Sequence, residues 1–131
     1  MSVTGGCRCG AIRYVAAGEP EHSTLCHCAD CRRSAAAPVV GWAMFAEEAL
    51  TIEGSPRTYE SSPGTFRQFC ATCGSGLFYR NAALFPGKVD VQTGTLDDAN
   101  ALPPVARIQV ADAGAWWHGF AAMPTFDRFP G

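Results

Sequence analysis

Charge is scarce in this chain. Ten Lys and Arg against 12 Asp and Glu make up 17% of the residues and leave a net charge of −2, where an average soluble domain carries about 25%. The concentrated basic face that phosphate backbones require is missing, and Arg32-Arg33 is too short a run to supply it. Nucleic acid is therefore excluded as an obligate partner. No stretch approaches the roughly 20 consecutive apolar residues of a membrane span, so no membrane partner is expected. Met1-Ser2-Val3-Thr4-Gly5-Gly6 has neither the basic nor the apolar region of a secretory leader, and a cytoplasmic location is expected. Internal repeats, low-complexity tracts and linkers are missing too. So are a phosphate loop, a dinucleotide fingerprint and a Ser-His-Asp arrangement. What remains is a 131-residue chain, 47% hydrophobic, long enough to bury a core unaided. One domain over residues 1–131 is expected.

Long helices are also disfavoured, because 14 Gly and 9 Pro interrupt most windows. Strand-like runs dominate instead: Ala11 to Val15, Val39 to Phe45, Leu50 to Ile52, Thr65 to Phe69, Gly76 to Arg80, Lys88 to Thr93 and Ala106 to Val110. Turn residues punctuate them at Gly18-Glu19-Pro20, Gly54-Ser55-Pro56, Ser61-Ser62-Pro63-Gly64, Phe85-Pro86-Gly87 and Pro103-Pro104. Ala46 to Leu50 and Leu96 to Ala99 allow one helical turn each. The expected fold class is mainly β, with antiparallel sheets.

Against this background the seven cysteines stand out. Cys7 and Cys9 form C-x-C, Cys26, Cys28 and Cys31 form C-H-C-x-x-C, and Cys70 and Cys73 form C-x-x-C-G. An odd count at spacings of two and three suits metal chelation better than a disulfide framework. None is left over if the outer pairs share one metal and the middle three hold another. Thiolates are soft ligands that select zinc among the abundant divalent metals. A closed four-cysteine set is a structural zinc site, and three protein ligands leave a position open to water or substrate. Cys70 to Gly74 reads as a zinc knuckle, and Cys28 to Arg33 as a tight turn.

The segments Gly6 to Tyr14, Cys26 to Arg33, Phe69 to Tyr79 and Val89 to Asp98 together resemble the glutathione-dependent formaldehyde-activating enzyme family, whose relatives include the centromere protein V domain. The resemblance implies a β-tent-like fold. It also implies a structural zinc on Cys7, Cys9, Cys70 and Cys73, and a second, catalytic-type zinc on Cys26, Cys28 and Cys31. The chain departs from the family at Ala35-Ala36-Ala37, where Gly is usual, and at Arg107-Ile108, where a His-Ile pair is usual ahead of a Trp. Both departures leave the cysteines intact.

Three thiolates on zinc carry a formal charge of −1, making a weaker Lewis acid than zinc on three imidazoles and one better suited to an incoming thiol. The expected activity is that of a carbon–sulfur lyase or synthase acting on a thiol–aldehyde adduct such as S-(hydroxymethyl)glutathione, with glutathione or a similar thiol and an aldehyde as partners. Arg32 or Arg33 would bind a substrate carboxylate, and His27, pointing away from the two sulfurs that flank it, would line the pocket rather than ligate. A non-catalytic zinc-binding interaction module and a thiol or metal sensor are the alternatives. Trp116, Trp117 and Phe120 are expected to pack the C-terminal segment onto the sheet, with lining a substrate groove as the alternative, and Trp42 and Phe45 to be core. Arg13, Arg67 and Arg80 are expected on solvated strand faces, with facing the pocket as the alternative, and His22 and His118 as ordinary surface or packing residues. Asp30 and Asp97-Asp98 are expected to shape turns.

Overall fold

The computed structural model describes residues 1–131, and its fold is mainly β. Ten strands occur in chain order: β1 Ser2–Gly6, β2 Arg13–Ala17, β3 His22–Cys26, β4 Val40–Ala46, β5 Leu50–Glu53, β6 Arg57–Ser62, β7 Thr65–Phe69, β8 Gly76–Asn81, β9 Lys88–Gln92 and β10 Ala106–Ile108. The smaller sheet runs β1-β2-β5, and the larger runs β10-β3-β4-β9-β8-β7-β6. All pairings are antiparallel except β10 on β3, which is parallel.

The main core lies between the sheets, where Val3, Ile12, Tyr14 and Ala16 meet Ala43, Phe45, Phe78, Val89 and Val91. Tyr14 stands edge-on to Phe78 at 5.4 Å. β4 is buried on both faces, which explains its nearly unbroken apolar sequence Val-Gly-Trp-Ala-Met-Phe-Ala. Ala43 and Phe45 enter the main core. Trp42 and Met44 are buried on the opposite face by alternation, where Trp42 joins Cys26, Cys31 and Val40 in a second apolar region. That outer face of the large sheet carries the candidate site.

Cys28 to Arg33 is not simply a tight turn: Ala29–Ala35 forms a helix, α1. Cys28 supplies its cap, with Sγ accepting the Cys31 N–H at 3.2 Å, a role that Ser, Thr or Asp usually fills. The alanines favour continuation, and the helix stops where Ala36 enters the left-handed region at φ 53°. β1 and β6 carried no strand signal. β6 is an exposed edge without apolar alternation, and β1 buries only Val3 and Gly5. The short 3-10 turn expected after Ala46 is present at Glu47–Ala49, but the later one falls at Thr93–Thr95 instead of Leu96 to Ala99. Leu96 bridges to Gly5, and Asp97 accepts hydrogen bonds from Arg13 and Thr4.

Gly5 is fixed by that approach. A Cβ there would lie 2.3 Å from the Tyr14 hydroxyl and 2.5 Å from the Thr95 carbonyl. Gly5→Ala is therefore expected to destabilise the fold by about 2 kcal/mol through overpacking, lowering a thermal melting midpoint by roughly 8 °C. An unchanged midpoint would show that β1 can move away from the Thr95 turn.

Candidate metal centres

The four-cysteine set is assembled by two turns. Cys7 and Cys9 leave β1 in a loop closed by Gly10 N–H to Cys7 O (3.1 Å) and Cys7 N–H to Ile12 O (3.0 Å). Cys70 and Cys73 follow β7 in a turn closed by Gly74 N–H to Cys70 O (2.8 Å), with Gly74 at φ 80°, a conformation glycine adopts at little cost. Cys7 and Cys9 Sγ are 3.6 Å apart, and Cys9 and Cys70 Sγ 3.7 Å. Tetrahedral zinc with Zn–S bonds of about 2.3 Å has S···S edges of about 3.8 Å, so the four sulfurs fit the ion.

The surroundings of Cys7 and Cys73 favour thiolates, whereas at Cys9 the Ala11 N–H lowers the pKa but the neighbouring thiols outweigh it and push it up to about 11. The Ile12 N–H points at Cys7 Sγ from 3.2 Å and the Cys73 N–H at Cys70 Sγ from 3.5 Å. The Ser75 hydroxyl lies 3.2 Å from Cys73 Sγ and, with the backbone, pulls that thiol down to about 5. Burial opposes ionisation of Cys7, but the Ile12 N–H and the Cys9 and Cys70 thiols outweigh it and lower its pKa.

The second set converges from β3 and α1. Cys26 ends β3, Cys28 caps α1 and Cys31 lies in its first turn. The three sulfurs lie within 4.8 Å of one another, with no fourth His, Cys, Asp or Glu donor in that reach. Burial pushes the Cys26 thiol up to about 12 and raises that of Cys31 as well. Buried thiols in this state need a cation to become thiolates, and a soft divalent metal provides one.

These cysteines form part of the wall of a cavity of about 250 Å³, with Trp42, Tyr79, Arg67 and Asp90 among its other residues. Arg67 was expected on a solvated face. It is instead buried at 8% exposure, donating to Asp30 Oδ2 at 2.9 Å and to Cys31 Sγ at 3.6 Å, with its guanidinium 5.1 Å from the Tyr79 ring centre. The residues of α1 cover this part of the sheet, and the local pattern Thr-Phe-Arg-Gln-Phe could not reveal a cover contributed from elsewhere in the chain. Asp30 thus anchors Arg67 as well as shaping the start of α1. The guanidinium charge works against burial at Cys31, favouring its thiolate form.

Arg32 and Arg33 are not brought to this cavity. They lie about 100° and 200° around α1 from Cys31, and line a larger space of about 460 Å³ with Gly114, Trp116 and Trp117. His27 is not part of the thiol-cavity wall either. Its ring is fully buried, Nε2 accepts from Arg107 Nε at 3.0 Å, and Trp117 meets it edge-on at 4.9 Å. Burial, reinforced by the Arg107 charge, lowers its pKa. Trp117 stacks on Trp116 at 4.7 Å and contacts Phe120 at 5.0 Å, so the aromatic segment packs over His27 and Arg107. His22, expected to be an ordinary surface or packing residue, and Asp90, expected in a strand with no site role, both line the thiol cavity.

The molecule is thus a small β protein carrying one four-thiol set and one three-thiol set, each able to hold a metal. Residues 2–112 match the family described as glutathione-dependent formaldehyde-activating enzyme, and the chain belongs to that family. A protein of Schizosaccharomyces pombe (strain 972) described as an uncharacterized lyase is 29% identical over 75 residues, covering 57% of this chain. The match spans about half of that relative, 55% of its length. A Rhodobacter sphaeroides protein of known crystal structure shares the fold, with a TM-score of 0.61 and 23% identity over 79% of this chain and 98% of its own.

Proposed function

We propose that the chain is a zinc-dependent carbon–sulfur lyase or synthase that joins a thiol such as glutathione to an aldehyde such as formaldehyde, and splits the adduct in reverse. The observation that carries this reading is the set of three converging thiols, without a fourth clustered protein donor, in a cavity wall. Family membership and a relative described as a lyase support it. In this reading Cys7, Cys9, Cys70 and Cys73 hold a structural zinc, and Cys26, Cys28 and Cys31 hold a second within a single cytoplasmic domain. Zinc on three thiolates supplies a soft position that favours the thiolate form of an incoming thiol.

The remaining work falls to the chain. Arg67 offsets negative charge beside Cys31, and its bond to Asp30 fixes the guanidinium. Trp42 and Tyr79, 5.8 Å apart, form an apolar wall that limits water and orients the thiol's carbon chain. In synthesis the sulfur–carbon bond forms, the carbonyl π bond breaks, and the proton released by the thiol ends on the new hydroxyl. In cleavage each change reverses. An accessible cavity at the open thiol set favours an enzyme over an interaction module.

Elemental analysis should find two zinc ions per chain, and the zinc-loaded protein should consume formaldehyde only when a thiol is supplied. Retention of a single ion together with no thiol-dependent consumption would overturn the reading.

A further inference from the structure

The cavity has a second polar end that thiol binding leaves unused. Alternation along β3 puts His22, Thr24 and Cys26 on one face, and all three line the cavity. Across the sheet His22 pairs with Met44 and Met44 with Asp90, so Asp90 lies in the row of His22, two strands away. The Asp90 and His22 side chains meet with Nε2 and Oδ1 3.7 Å apart, too far for a hydrogen bond. Asp90 and Thr24 are each only 7% exposed. Asp90 Oδ1, Thr24 Oγ1 and His22 Nδ1 are all buried without a hydrogen-bond partner, an arrangement that native proteins rarely keep without a ligand or water to satisfy it.

The neighbours of Asp90 supply no counter-charge. Met44 faces it from β4 and Tyr79 from β8, and burial keeps the Tyr79 hydroxyl protonated. Arg67, in the same row on β7, is turned to Asp30 and Cys31. Lys88, on β9 itself, pairs with Glu21. His22 is the one cationic candidate in reach, and it stands beyond hydrogen-bond distance. The vacant partners are thus a carboxylate oxygen, a hydroxyl and an imidazole nitrogen that is an acceptor when Nε2 carries the proton. A primary ammonium brings three donors and one positive charge; a substrate carboxylate would be repelled.

We propose that Asp90, with Thr24 and His22, forms the subsite that holds a primary ammonium group of the thiol substrate. The proposal rests on the reading that the three-cysteine end receives the thiol. Strand rise sets the reach: Thr24 is one two-residue step from Cys26 and His22 two, roughly 7 and 13 Å. The ligand is therefore a thiol whose ammonium stands several bonds from sulfur, as in a γ-glutamyl thiol. A two-carbon aminothiol is too short to touch both ends.

Calorimetric titration of the zinc-loaded protein separates the two ends. The probes are glutathione, glutathione acetylated on its amine, and S-methylglutathione, which keeps the ammonium but has no thiol. Wild-type protein should bind glutathione roughly 10- to 100-fold more tightly than the acetylated form, the range of a charge-assisted hydrogen bond. Asp90→Asn should bind both at the acetylated level, and Thr24→Val should shift in the same direction. Equal wild-type affinity for glutathione and its acetylated form would overturn the subsite, as would an Asp90→Asn loss shared equally by both. S-methylglutathione binding that weakens in Asp90→Asn supports the subsite even where the thiol adds no affinity, and so marks failure of the thiol reading separately.

Discussion

Cys70→Ser is expected to lose one of two metal equivalents and to melt at least 15 °C below wild type, whereas Cys28→Ser loses the other equivalent and melts within a few degrees of it. Cys70 is 1% exposed and belongs to the main core with Leu77 and Phe78. Through a shared metal it would tie the loop after β1 to the turn after β7; the contact between Cys9 and Cys70 closes a separation of 61 residues. A cross-link over a loop of that size stabilises by about 4 kcal/mol in the chain-entropy account, which at roughly 4 °C per kcal/mol gives the expected shift. The serine hydroxyl left in the core adds to the loss. Cys28 is only half-buried, at the start of a seven-residue helix. A serine there keeps the cap, because its oxygen accepts the same N–H. Thermal melts and metal analysis of both variants provide the check. Equal destabilisation would mean that both sets are structural, and would remove the case for an open catalytic position.

The convergence of the four outer cysteines was legible because its chemistry is local: C-x-C and C-x-x-C-G state both the donor type and the turn that aims it. The strands from Thr65 to Phe69 and from Gly76 onward were legible for a related reason, since turn residues bound each run. Arg67 and Asp90 were not. Both lie in strands whose alternation shows which residues share a face but not what covers that face. Over Arg67 the cover is α1, through Asp30 and Cys31, while Leu84, Phe85, Ile108 and Gln109 join the cavity that Asp90 lines; α1 was itself obscured because a cysteine fills the cap position and an alanine the left-handed stop. Arg32 and Arg33 show the converse error. Nearness to Cys31 in sequence suggested nearness in space, but one or two steps along a helix rotate a side chain to another face. Residues that share the cavity with the thiols thus come from β7 and β9, far along the chain, and only the sheet register brings them together.

Asp90→Asn is expected to stabilise the protein at pH 8 by about 2 kcal/mol, with a gain that shrinks as the pH falls toward 5. Burial raises the Asp90 carboxyl from 3.8 to about 6, opposed by the nearby His22. Between these values the folded protein holds a proton that the unfolded chain has released, so this group lowers stability as the pH rises through the window. Above pH 6 both states are ionised and the full penalty for the buried charge remains, at most about 3 kcal/mol for a shift of about two units. Asparagine has nearly the same shape without the charge, and its amide N–H groups can donate to Thr24 Oγ1 or His22 Nδ1. The carboxylate of Asp97 titrates in the opposite sense, pulled down to about 2 by Arg13 and Thr4, so the informative quantity is the difference between wild type and variant at each pH. Denaturant unfolding at pH 8, 6.5 and 5.5 measures that difference. A variant less stable than wild type at pH 8 would mean that Asp90 is already paired in the free protein, and the ammonium subsite would lose its basis. A stabilised variant that no longer distinguishes glutathione from its acetylated form would make Asp90 a residue that lowers the stability of the free fold and contributes only once a cationic ligand enters the cavity.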